Sequence, residues 1–500
     1  MLISFPHFGK NVWYGQKCHR QYILNEIRRN IVMQQKDDKK ILWHTLAFMA
    51  FSTVWGFGNV INGFSEYGGL KAIVSWILIF AIYFVPYALM VGELGSTFKH
   101  AGGGVSSWIR ETIGPKMAYY AGWTYWVVHM PYISQKPNST VIAASWALFQ
   151  DKRASGMNTT VMQILCLVIF LFAMYLSGRG IGVLKRLATL AGSAMFIMSM
   201  LFIAMMVAAP ALTDGAFLAV DWSPSSFIPD FNANFFLSLS ILVFAVGGCE
   251  KISPYVNKMK DPSGDFAKGM VALAAMVAVT AILGTIALGM MFDSNHIPQD
   301  LMTNGAYYAF QKLGEYYHVG NFFVVVYALT NLIGQFSVMV LSVDAPLRML
   351  LDSADSRFIP SRMFEKNEHG TYVNGHRLVT LIVCVLIVVP AFGIRNVDVL
   401  VRWLVKVNSV CMPLRYLWVF VAYIALKRAG NAFCGEYRFV KGKAAGILVG
   451  GWCFAFTAFA CLTGIYSDDP FQLALNIVTP FVLVGLGFIM PWMAAKEKKS

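Results

Sequence analysis

The stretch Leu187–Thr213 contains no charged side chain, and neither do Gly269–Phe292 and Val161–Ser177. A helix of about 20 apolar residues crosses the hydrocarbon core of a bilayer. Runs of this length confine the chain to a membrane-spanning helical fold. They are continuous, and too long for the ~10-residue alternating segments of a membrane barrel. The charge content agrees. Only 13% of the 500 residues are charged, where a soluble chain uses about 25% to wet its surface. The chain reads as an all-α polytopic membrane protein, with the lipid bilayer as its main partner.

Charge clusters and Gly/Pro punctuation divide it into about twelve spans, at 41–63, 71–95, 117–149, 160–178, 187–209, 234–256, 268–292, 318–343, 376–394, 398–426, 445–466 and 472–495. The third, 33 residues long, must tilt, break at Pro137, or project into water. The expected layout is a tail over 1–40, five spans over 41–209, five more over 234–426, two over 445–495 and a tail over 496–500. Of the 40 Lys and Arg, 30 fall on the side of the N-terminus and 5 on the other. The positive-inside rule then puts both termini in the cytoplasm, and the plasma membrane is the expected location. The net charge of +14 orients helices here and does not signal nucleic acid. Residues 1–32 are polar and basic, without the apolar core of a signal peptide, and Met33 is the expected start. The eight cysteines make no C-x-x-C pair and read as small buried residues. No zinc, Walker or nucleophile motif lies in a water-accessible setting, so neither an enzyme nor a bound metal or cofactor is expected.

Backbone freed from a helix inside a bilayer persists only where it lines a cavity, and transporter sites are built from a pair of such breaks, one per repeat. Span 1 carries Trp55-Gly56-Phe57-Gly58-Asn59. Span 6, the first helix of the second set of five, carries Phe244-Ala245-Val246-Gly247-Gly248-Cys249-Glu250. The two breaks occupy corresponding positions, as two inverted five-helix repeats require.

Gly92-Glu93-Leu94-Gly95-Ser96-Thr97-Phe98 with Ala101-Gly102-Gly103-Gly104-Val105-Ser106-Ser107-Trp108 resembles the span 2 to span 3 signature of the amino acid–polyamine–organocation superfamily. Its Ser-Trp ending is most similar to the glutamate/GABA antiporter branch and its YjeM-like relatives. Glu250 with Asn257–Pro262, and Asp344-Ala345-Pro346-Leu347-Arg348 through Phe358-Ile359-Pro360, resemble the stretches that follow spans 6 and 8 in that family. The resemblance implies secondary transport of an amino acid or related amine by alternating access, as exchanger or ion-coupled symporter. The alternative is a membrane-embedded sensor that binds without flux.

Within that frame the start of a half-helix, with its positive dipole end, suits a substrate carboxylate, and the freed carbonyls of the other half suit its ammonium. The carboxylate is assigned to Gly56–Asn59 and the ammonium to carbonyls around Phe244–Gly248. Trp55, Phe57 and Phe244 flank the breaks as lids or as packing. Lys136, beside Pro137, faces either freed carbonyls or an anionic substrate. Asp398, Arg402 and Lys406 form one stripe whose surplus cation favours anions in the outer vestibule. Together these predict glutamate-like substrates. Glu250 is a coupling or gating candidate; adjacent Lys251 offers charge compensation, although i,i+1 neighbours do not face each other on a helix. If Glu250 titrates, Glu250→Gln changes the pH dependence of transport. Glu93 is either a gating carboxylate or a helix-end partner of a nearby Lys. Valine at Gly58 or Gly247 is expected to abolish uptake with folding intact.

Overall fold

The computed structural model describes residues 41–102, 104–213, 221–392, 397–433 and 435–498. The tail over 1–40, with the expected start at Met33, lies outside the described residues. Nine helices among them are long and apolar enough to cross a membrane. In chain order these are span 2 (Gly69–Thr97), span 4 (Thr159–Ser177), span 5 (Ile181–Leu212), span 6 (Ala233–Lys258) and span 7 (Gly264–Gly289). Span 8 (Phe322–Leu351), span 10 (Val397–Ala429), span 11 (Lys443–Gly464) and span 12 (Pro470–Glu497) follow. Three interrupted or shorter segments complete the series. Span 1 is split into Trp43–Val54 and Phe57–Glu66, span 3 into Pro115–Val127 and His129–Phe149, and span 9 is the apolar helix Val373–Val388.

The first set of spans packs on the second in matching order. Span 1 contacts span 6, span 2 contacts span 7, span 3 contacts span 8 and span 4 contacts span 9. Spans 11 and 12 lie at the rim, where Leu448, Leu462, Phe481 and Trp492 are each more than 60% exposed. On a soluble protein this would be an aggregation surface; here it is the face that meets lipid.

The connections sort by charge. Gly178 accepts from Asn367, Lys99 pairs with Glu436, and Ile41 pairs with Lys258 and Lys260, so the basic loops share one face. Glu497 accepts from Ser361 there, which brings both ends of the described chain to that basic face. On the opposite face Lys71 meets Asp230, Lys152 meets Asp300, and Asn321 donates to Gln150.

Three elements differ from expectation. Span 3 is interrupted at Val128, while Pro137 sits inside a continuous helix. A proline ring clashes with the carbonyl four residues earlier, and for Pro131 that carbonyl is Val127. Span 8 runs on to Leu351, so Asp344–Arg348 is helical and not loop. The connection before span 8, given no element of its own in the expected layout, holds a helix, Leu301–Tyr316, that packs on the second half of span 1. Span 2 also contains a π-helical turn at Phe80–Phe84, just before Pro86. The Ile82 carbonyl there accepts from the Trp452 indole, 2.8 Å away on span 11.

Candidate substrate site at two broken helices

Span 1 leaves helical geometry at Trp55 (φ −130°, ψ 147°) and Gly56 (φ −156°, ψ 162°), then restarts at Phe57. No side chain caps that restart, so first-turn N–H groups and the positive dipole end are presented at the break. Span 6 stops at Val246, passes through Gly247 in an extended conformation and Gly248 at φ 111°, and resumes as a 3-10 helix over Cys249–Lys258. Only glycine adopts such a φ without strain. Both breaks fall where the glycines placed them.

One side chain joins the two. Asn59 Nδ2 donates to the Val54 carbonyl (3.1 Å) and to the Ala245 carbonyl (3.2 Å), satisfying an oxygen from each broken helix. The Phe244 carbonyl accepts from Gly247 N–H and the Gly248 carbonyl from Lys251 N–H. Among the described residues, the carbonyls of Val246 and Gly247 remain as the uncommitted acceptors of the span 6 break.

A cavity of about 150 Å³ lies beside the breaks. Of the residues expected at the site, Gly58, Asn59, Lys136, Phe244 and Gly247 line it; Trp55, Gly56, Phe57, Gly248, Glu250 and Glu93 do not. Trp55 is buried edge-on to Trp76, and Phe57 packs among Phe202, Phe310 and Tyr327. Both are packing residues in this structure. Phe244 meets the Tyr132 ring edge-on across the cavity wall, with centroids 6.1 Å apart. An ideal Cβ on Gly58 meets no heavy atom within 4 Å, whereas one on Gly247 falls 2.1 Å from the Tyr416 ring. The expectation that valine at Gly247 leaves the fold intact is therefore corrected; at Gly58 a Cβ meets open space.

Charge decides what the cavity can hold. Lys136, Lys251 and Arg415 are among its lining residues, and no Asp or Glu is. Lys136 Nζ donates to Gln335 Oε1 (3.2 Å), and Gln335 donates in turn to Asn331 (3.1 Å). Lys251 Nζ donates to Ser342 Oγ (3.1 Å) and sits 5.0 Å from the Tyr132 ring centroid. Arg415 Nε lies 3.2 Å from Glu250 Oε1, and its guanidinium also reaches His129 and Tyr416.

Glu250 is fully buried behind the cavity wall. Its carboxylate accepts from the hydroxyls of Tyr87 and Tyr125 besides pairing with Arg415. The compensating cation is thus Arg415 from span 10 and not the adjacent Lys251, because neighbours in a helix point different ways. Glu93 lies at the basic face, accepting from Lys427, Tyr423 Oη (3.1 Å) and the Phe439 N–H (2.9 Å). It ties the end of span 2 to span 10 and the loop beyond. On the opposite face a wide vestibule of about 740 Å³ is lined by Lys152, Arg402 and Lys406 but also by Asp300, Asp398 and Asp469. Arg402 donates to the Gln299 carbonyl (3.1 Å). The stripe carries no cationic surplus once its neighbours are counted. Sequence reasoning passed over Arg415 and Lys251 as binding groups, although charged residues inside spans are the standing signal for them.

An all-helical membrane fold with two interrupted helices meeting at a small polar cavity defines a transporter. The chain belongs to the amino acid permease family, matching it over residues 41–489. It is a secondary transporter of amino acids or related amines and not an enzyme. It is 48% identical over 476 residues to the aspartate/glutamate permease AcaP of Lactococcus lactis subsp. cremoris, spanning 93% of this chain and 97% of that one. Identity to the inner membrane transporter YjeM of Salmonella typhimurium is 24% over 449 residues, or 84% and 89% of the two chains. It is 22% over 355 residues to the probable agmatine/putrescine antiporter AguD of Lactococcus lactis subsp. lactis, covering 71% and 72%. The superfamily and the YjeM-like relatives indicated by the motifs are those found.

Proposed function

We propose that this chain carries an acidic amino acid, aspartate or glutamate, across the plasma membrane, with its basic face in the cytoplasm. The carrying observation is a cavity lined by Lys136, Lys251 and Arg415 with no carboxylate among its lining residues. Glu250 offsets Arg415 from behind the wall, which leaves two ammonium groups for a ligand. The α-carboxylate binds the uncapped start of the second half of span 1, at Gly56–Asn59. The α-ammonium binds the freed carbonyls after Phe244, at Val246 and Gly247 within the Phe244–Gly248 break. The second carboxylate answers the remaining cations.

Size agrees with one small molecule, since an engineered cavity of roughly 150 Å³ holds benzene. A diamine would set new cations beside the existing ones, at about 4 kcal/mol per pair 4 Å apart in an effective dielectric of 20. The name of the 48% identical relative, an aspartate/glutamate permease, points the same way. Alternating access follows from movement of the five spans over 41–209 against those over 234–426. Glu250, acting through Arg415, and Glu93, through Lys427, are the gating candidates.

The test is uptake of radiolabelled aspartate into proteoliposomes, with and without an internal amino acid pool and a pH gradient. Competition by excess glutamate, and not by lysine or agmatine, is expected. Aspartate binding without flux, or stronger competition by the cationic compounds, would overturn the proposal.

A further inference from the structure

Three cations line the cavity, and their surroundings differ. Arg415 has the Glu250 carboxylate at 3.2 Å. Lys136 is only partly buried and is held by the Gln335 amide. Lys251 is 1% exposed, and among the described residues it makes no ion pair. Its ammonium donates to the Ser342 hydroxyl and lies over the face of Tyr132.

Ser342 donates its own hydroxyl hydrogen to the Val338 carbonyl (2.6 Å). A lone pair is thereby left for Lys251, and Ser342 serves to aim the ammonium. An ammonium has three donors, so two remain beyond Ser342. The adjacent carboxylate, Glu250, is engaged by Arg415; a cation buried in a membrane helix without a direct ion pair of its own is expensive, and such a residue is functional by default. An arriving carboxylate would relieve that cost, whereas an amide brings no charge to do so.

We propose that Lys251 is the specificity-determining residue that selects dicarboxylic amino acids over their neutral amides, by binding the side-chain carboxylate. This rests on the assignment of the cavity to an acidic amino acid. Lys136, on the same Tyr132 ring at 4.6 Å, adds attraction for the same group from the wetter side. A hydrogen bond to a charged group contributes about 1.5–3 kcal/mol, which corresponds to roughly 10- to 150-fold in preference.

The experiment compares uptake of aspartate and asparagine by wild type, Lys251→Met, Lys251→Arg and Ser342→Ala in proteoliposomes at matched protein amounts. Lys251→Met is expected to lower the aspartate:asparagine ratio of kcat/KM by at least 10-fold, mainly through loss of aspartate uptake. Lys251→Arg should keep most of the preference. Ser342→Ala, which removes only the hydroxyl, should lower it several-fold, and decides the matter alone if Lys251→Met does not reconstitute. An unchanged ratio in Ser342→Ala together with an unchanged ratio, or equal loss of both substrates, in Lys251→Met would overturn the assignment. A wild type that prefers asparagine would instead refute the acidic reading of the cavity, before any variant is compared.

Discussion

Valine at Gly58 separates the site from the fold. Gly58 lies in the first turn of the second half of span 1, lines the cavity, and has no heavy atom within 4 Å of an ideal Cβ. The fold therefore has room for a Cβ at this position. A helix interior gains a few tenths of a kcal/mol when glycine becomes valine. The three added carbons enter a space of about 150 Å³, next to the N–H groups assigned to the α-carboxylate. Overpacking of a filled site costs about 1–3 kcal/mol, so substrate binding should weaken on the order of 10- to 100-fold. Gly58→Ala adds one carbon and should fall between, with folding stability up by about 0.5–1 kcal/mol. The assay pairs initial aspartate uptake in proteoliposomes with the thermal unfolding midpoint in detergent. The expected pattern is a midpoint at or slightly above wild type with uptake graded Gly, Ala, Val. Near-normal uptake by Gly58→Val would place the site elsewhere, and a clearly lowered midpoint would contradict the open space at this position.

Other variants test the supports of the site. Glu250→Ala leaves the Arg415 guanidinium buried without its carboxylate, at a cost of about 3–5 kcal/mol. Its unfolding midpoint should drop sharply and recover in part in the Glu250→Ala/Arg415→Met double variant; additive losses would mean the two are uncoupled. Asn59→Ala removes the donor shared by the Val54 and Ala245 carbonyls. A loss of about 1–3 kcal/mol is expected, and unaltered stability would show that other groups satisfy those oxygens.

Much of this was legible in the chain itself. Uncharged runs locate spans 4, 5 and 7 because a bilayer accepts little else, and loop charge sorts the two faces because Lys and Arg concentrate on one side. The breaks were legible from glycine placement, since Gly248 adopts a backbone angle that other residues resist. Partnerships across long sequence separations were not. Glu250 and Arg415 meet only when span 10 crosses span 6, and nothing in local spacing announces this. Trp55 and Phe57 adjoin the break, yet both side chains are taken up in aromatic packing away from the cavity. The helix Leu301–Tyr316, which adds Met302, Thr303, Ala306 and Tyr307 to the cavity lining, was missed because it is short and amphipathic, a signal that sorting by hydropathy alone discards.

The most direct measurement is a structure determined with aspartate bound. The amino acid should sit between the two breaks, its α-carboxylate at the start of the half-helix containing Gly58 and Asn59. Its α-ammonium should face the Val246 and Gly247 carbonyls, with the second carboxylate toward Lys251. Density for aspartate only in the outer vestibule around Arg402 and Asp398, with the central cavity empty, would contradict the assignment of the site.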